Sequence, residues 1–228
     1  MNRTYVPRQA TVALIGAILF LGGCERDEVI VPRNQIAGSG RIVSQLRNVG
    51  SFSGIQITNI GDVYITQDTV ESLRIEADDN IVDLVQTSVA GGTLSVGLRE
   101  GSYSNVTVRI HASMQQISSL ESVGAGEFHT TGAIHTDKVT CRITGAGAIS
   151  LSGTATEQIV EISGAGSIDN FGLVSSLCTV TVTGTGSVGV NVTQELHASV
   201  SGTGTITYDG NPPLVHSSIT GTGTIRPK

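Results

Sequence analysis

The chain has 228 residues, a formal net charge of −6 and a sequence pI near 5.3. Its Lys and Arg residues are scattered, without the clusters that track a phosphate backbone, and this excludes nucleic acid as a partner. With 29 glycines, no Trp and no long helical periodicity, the composition points to an all-β protein.

Residues 1–23 read as a lipoprotein signal peptide. Arg3 and Arg8 supply its positive region, and the apolar run from Ala10 to Leu21 is too short to span a bilayer as a helix. Leu21-Gly22-Gly23-Cys24 has the form of a lipobox, which makes Cys24 the lipidated first residue of the mature chain. Several acyl chains hold a protein stably on a membrane where one is marginal. The expected address is therefore the bacterial cell envelope: lipid-anchored, at the outer membrane, on its periplasmic side or at the cell surface. Residues 24–37 follow as a polar tether. Residues 38–228 are expected to form a single β-helix domain, less regular over 38–120 and regular over 121–228.

In the less regular part, Ile55-Gln56-Ile57, Val63-Tyr64-Ile65, Leu73-Arg74-Ile75, Leu94-Ser95-Val96 and Val106 to Ile110 alternate apolar and polar residues, as half-buried strands do. Asp79 to Val85 predicts one or two helical turns behind an Asp cap. Capping also accounts for Asp78, Asp79 and Asp83, which lack the spacing of a calcium loop.

The regular part carries six copies of Gly-x-Gly, beginning at Gly124, Gly145, Gly164, Gly184, Gly202 and Gly221. A period of about 20 residues is the mark of a solenoid, and it is too short for a strand–helix–strand crossover. The fourth residue after each first glycine is Phe128, Ile149, Ile168, Val188, Ile206 or Ile225. The second before it is apolar in every copy except Ser122. Even offsets thus face inward and odd offsets outward. Coils of strand, corner, strand, corner stack about 4.8 Å apart into a parallel β-helix.

Motifs that carry chemistry are sparse. There is no phosphate loop, no nucleophile elbow, and no helix after the Gly-x-Gly motifs to make them dinucleotide fingerprints. Arg142 and Glu161 share a column and predict an exposed cross-strand ion pair. His197 and His216 also share a column, but two imidazoles without a third ligand make a poor metal site. His129 and His135 fall in an expected corner. No metal and no cofactor are expected. Cys141 and Cys178 face inward two coils apart, too far for a disulfide, and read as small buried hydrophobes. One surface is regular enough to name: Thr183, Thr185 and Ser187; Ser201, Thr203 and Thr205; Thr220, Thr222 and Thr224. If outward, these hydroxyls make a flat grid that fits a sugar or a protein, although stacked Thr also simply stabilises sheets.

The order of several motifs resembles the putative auto-transporter adhesin, head GIN domain family. They are the leader, Phe52-Ser53-Gly54-Ile55, Asn59-Ile60-Gly61-Asp62-Val63-Tyr64-Ile65, Asp79-Asn80-Ile81, Gly91-Gly92-Thr93-Leu94 and the Gly-Ala-Gly or Gly-Thr-Gly coils. The resemblance spans roughly residues 40–225 and implies a right-handed parallel β-helix without assigned catalytic residues. The expected function is a non-enzymatic adhesive, binding or structural role, with a glycan or an envelope protein as partner. Two alternatives stand beside it. One is a carbohydrate-active enzyme with its site around Asp62, Asp78 and Asp79. The other is a periplasmic scaffold or stress-sensing partner protein that meets its partner through an open end, with Pro212-Pro213 and Pro227 blunting the last coil.

Overall fold

The computed structural model describes residues 35–59 and 61–228. The leader, Cys24 and the tether up to residue 34 lie outside the described residues. The chain enters through β1 (Gln35–Ala37) and β2 (Ile42–Arg47), then makes β3 (Gly54–Asn59) and β4 (Asp62–Gln67). Next come β5 (Ser72–Asp78), β6 (Val85–Ala90), β7 (Thr93–Leu98), β8 (Ser102–Ser104) and β9 (Val108–Met114). The regular part runs through β10 (Ser119–Gly124), β11 (Glu127–Thr130), β12 (Ile134–Gly145), β13 (Ala148–Gly164) and β14 (Ser167–Gly184). It ends with β15 (Ser187–Gly202), β16 (Thr205–Asp209), β17 (Leu214–Gly221) and β18 (Thr224–Pro227).

From β10 onward every pairing is parallel, and the structure is the expected parallel β-solenoid with coils of about 20 residues. The first glycines pair in one column, Gly124 with Gly145, then Gly164, Gly184, Gly202 and Gly221. Around them Phe128, Ile149, Ile168, Val188 and Ile206 stack as a buried column, as do Leu120, Cys141, Val160, Val180 and Ala198. Each buried Ile or Val contributes about 1.5–3 kcal/mol of apolar transfer, and repeating the column makes the core continuous. Ser122, the polar exception, is buried and satisfied: its hydroxyl donates to the Gly126 carbonyl at 2.8 Å.

The two glycines of the motif do different work at the bend. Gly145 sits at φ +132°, a conformation that L side chains rarely adopt. In the next coil, a Cβ on the second glycine, Gly166, would lie 2.5 Å from Ile143 Cγ2, so this position is kept empty for the inward Ile of the coil below. The ladder continues through the bend, with Ala146 N–H donating to Gly124 O at 2.8 Å and Ala165 N–H to Gly145 O at 2.9 Å. Asn59 takes the place of the first glycine one coil earlier: it pairs with Gly124 and has φ +82°.

The less regular part differs from a stack laid down in chain order. The coil made by β3 and β4 is sandwiched between β10 and β11 on one side and the later β7 and β9 on the other, all parallel. Beyond it the pairing becomes antiparallel: β6 on β7, β5 on β9, and β2 on β5. These strands close one end of the solenoid. Gln35–Ala37, expected to be tether, is a strand: it pairs with Ser102–Ser104, and Ile36 packs against the core. The helical expectation resolves to a single 3-10 turn, Val82–Leu84, preceded by Ile81 with no side-chain cap. Asp79 does not cap it, because its carboxylate accepts from the Ser39 hydroxyl at 2.5 Å and from Arg41 Nε at 2.8 Å. Asp78 is buried and accepts the backbone N–H groups of Gly40 and Thr107 at 2.6 and 2.7 Å.

Candidate functional site

The Thr/Ser residues flank the Gly-x-Gly bends at positions where the alternation turns side chains outward. Thr183, Ser201 and Thr220 pair across adjacent coils, as do Ser187, Thr205 and Thr224. Thr185, Thr203 and Thr222 sit on the bends between these rows. All nine reach the surface, eight exposed and Thr205 half-buried. The bend divides the expected flat grid into two facets meeting along the Thr185–Thr203–Thr222 ridge. The facet extends one coil further, where Ser167 and Ser187 hydroxyls lie 3.0 Å apart. A hydroxyl row at coil spacing donates and accepts at fixed intervals, which is the chemistry that meets a hydroxyl-rich polymer.

Round the same coils, on the outward face of β15 and β17, His197 and His216 are brought together as the sequence predicts. Their rings stack with centroids 4.6 Å apart and an interplanar angle of 12°. The third group, Glu195, lies outside the column that pairs the two histidines. Its Oε1 lies 2.8 Å from His197 Nε2 and 3.4 Å from His216 Nε2. The signal was present as Glu-x-His, since residues two apart on a strand share a face.

The carboxylates of the enzyme alternative are not assembled. Asp62 lies on β4 beside Arg109 of β9, while Asp78 and Asp79 are engaged with the segment around Ser39 to Arg41. His129 is on a strand rather than in a corner, and its ring stacks on Tyr64, whose other neighbour is His111. At the start of this row, Glu76 contacts Arg74 and His111. Partial desolvation raises the Glu76 carboxyl, but the His111 and Arg74 contacts outweigh it and hold it below the ordinary carboxylate range. His135 lines an open groove of about 680 Å³ with Gln67, Gln115, Asp137, Lys138 and Thr154. Gln67 pins this groove by donating to the carbonyls of Gln115 and His135 at 3.0 and 2.9 Å. Arg142 and Glu161 form the expected surface pair at 2.8 Å.

These features define a parallel β-solenoid that presents ordered polar facets. The chain belongs to the putative auto-transporter adhesin, head GIN domain family, whose match covers residues 51–212. Among solved structures, a putative adhesin from Bacteroides fragilis is 26% identical, with 85% of this chain and 100% of that one covered and a TM-score of 0.71. A putative adhesin from Parabacteroides distasonis (19% identical, 86% and 100% covered, TM-score 0.59) shares the fold. So does a putative lipid binding protein from the same species (21% identical, 86% and 100% covered, TM-score 0.53). No curated protein matches the chain.

Proposed function

We propose that this protein is a non-enzymatic binding module of the bacterial envelope, held to the outer membrane by lipid on Cys24, whose Thr/Ser facets meet a glycan or other envelope polymer. The observation that carries the reading is the solvent-facing register of Thr183, Thr185, Ser187 and their partners in the next two coils. A regular hydroxyl array is a rigid, prepaid arrangement of donors and acceptors, so little side-chain entropy is lost on contact. Membership of an adhesin family supports a binding role, and the sequence of residues 1–24 supports the anchor and the address. The test begins with intact cells and a protease too large to cross the outer membrane. Shedding of the solenoid is expected; protection until lysis places it in the periplasm and removes adhesion. On a glycan array, Thr185→Lys with Thr203→Lys and Thr222→Lys is expected to abolish any binding seen with the parent chain. Unchanged binding moves the ligand off the facets.

A scaffold reading has its own observation. Among the described residues strand β17 pairs with β15 alone, and its inward-column residues Val215 and Ile219 are exposed. Concentration-dependent association of the chain, relieved by Val215→Lys with Ile219→Lys, would favour this reading.

A further inference from the structure

We propose that Glu195, His197 and His216 form a surface site for a borderline divalent cation of the zinc, copper or nickel class. The three donor atoms lie within 4.8 Å of one another. A tetrahedral or octahedral ion with bonds of about 2.1 Å to nitrogen and oxygen needs ligand-to-ligand edges of about 3.0–3.4 Å. Two of the site's three edges, from Glu195 Oε1 2.8 Å to His197 Nε2 and 3.4 Å to His216 Nε2, lie within a few tenths of an ångström of those values. Seating one ion against all three requires the two imidazoles to rotate out of their face-to-face stack, so that their near-parallel Nε2 lone pairs converge.

The backbone explains why these three side chains meet. His197 and His216 are register partners on parallel β15 and β17, so the coil spacing sets their separation and stacks their rings. Glu195 lies two residues before His197 on the same strand face and pairs with Leu214, two residues before His216. Both imidazoles turn Nε2 toward one carboxylate oxygen instead of spreading into solvent. Among the described residues Glu195 has no Lys or Arg partner; its ion-pair contacts are the two imidazoles alone. Two imidazole nitrogens and one carboxylate oxygen are the donors that this class of ion selects over magnesium or calcium. On binding, the ion takes the Nε2 lone pairs, and each neutral ring carries its proton on Nδ1. Three protein ligands leave the outer coordination positions to water, since His197 and His216 are both exposed.

The test is a calorimetric titration of ZnCl₂ into the full chain in detergent and chelator-free buffer. Saturable binding of one ion per chain is expected. His216→Ala and, separately, Glu195→Gln are each expected to weaken it by at least about tenfold. Both residues are at the surface, so unchanged circular dichroism and thermal midpoint without metal verify the fold. With Cu²⁺, electron paramagnetic resonance should show two-nitrogen coupling that falls to one nitrogen in His216→Ala. Absence of saturable binding overturns the site. So does binding that persists at full strength in the His197→Ala, His216→Ala double variant, because the ion then sits on other donors.

Discussion

Gly145 rests directly on Gly124: a Cβ added to Gly145 would lie 2.5 Å from the Gly124 carbonyl oxygen. That carbonyl accepts the Ala146 N–H, so it cannot swing away without breaking the ladder through the bend. The φ of +132° adds conformational strain for any L side chain. Gly145→Ala is therefore expected to cost on the order of 2–3 kcal/mol, read as a lowered urea midpoint. Gly132, where a side chain would meet no other described residue beyond its chain neighbours within 4 Å and where φ is not left-handed, supplies the control. Gly132→Ala should change stability by less than about 0.5 kcal/mol. Equal effects at the two positions would show that the glycine column is not the tight contact described.

The inward columns of the regular coils were legible because one offset from the glycine puts one residue type on one face in every copy. The exposure of the Thr/Ser facets follows from the same alternation, whereas the bend that splits them does not. The less regular part was not legible as coils in order. There Gln56 reaches Glu121 across 65 residues, and the partners of β3 come from β7 and β10, with no local period to reveal them. Asp79 misled for a similar reason. Its partners, Ser39 and Arg41, are about 40 residues away in the chain, and capping is judged only from near neighbours. Glu195 stands outside the repeat signal because a column joins residues one coil apart, whereas Glu195 is the neighbour of His197 two places back on the same strand.

Cys141 and Cys178 are free and buried. Burial pushes the Cys141 thiol up to about 12 from 9.0, a shift that its contact with the Asn170 amide only moderates. Burial likewise raises Cys178, with Cys141 as a further contributor. Raised folded values mean that the native state holds these protons more tightly than the unfolded chain. The stability that Cys141 contributes in this way is full below pH 9.0 and is lost as pH rises toward about 12. At pH 8 a thiol reagent is expected to leave both cysteines unmodified in the native protein and to label both in urea, as located by peptide mass spectrometry. Rapid native labelling at pH 8 would contradict their burial.

Asn170 repairs the ladder at an irregularity. The pairing of β13 with β14 shifts between Ser150 and Ser152, and at that break the Asn170 Oδ1 accepts the N–H of Leu151 at 3.2 Å. Its Nδ2 faces Gln158 Oε1 at 3.4 Å, and Gln158 in turn donates to the Ser175 hydroxyl at 2.7 Å. All three side chains are buried, and the hydrogen-bond chain continues from the Ser175 hydroxyl to the Asn191 carbonyl at 3.2 Å. Asn170→Ala leaves the Leu151 N–H and a Gln158 oxygen lone pair without these partners and opens a small void. A loss of about 2–3 kcal/mol is expected. Asn170→Leu fills the void but leaves the same groups unpaired, so it should recover little of that loss. Hydrogen exchange at Leu151 separates the causes: faster exchange in both variants marks the lost acceptor, whereas recovery in Asn170→Leu alone would mean that packing, not the hydrogen bond, holds the break together.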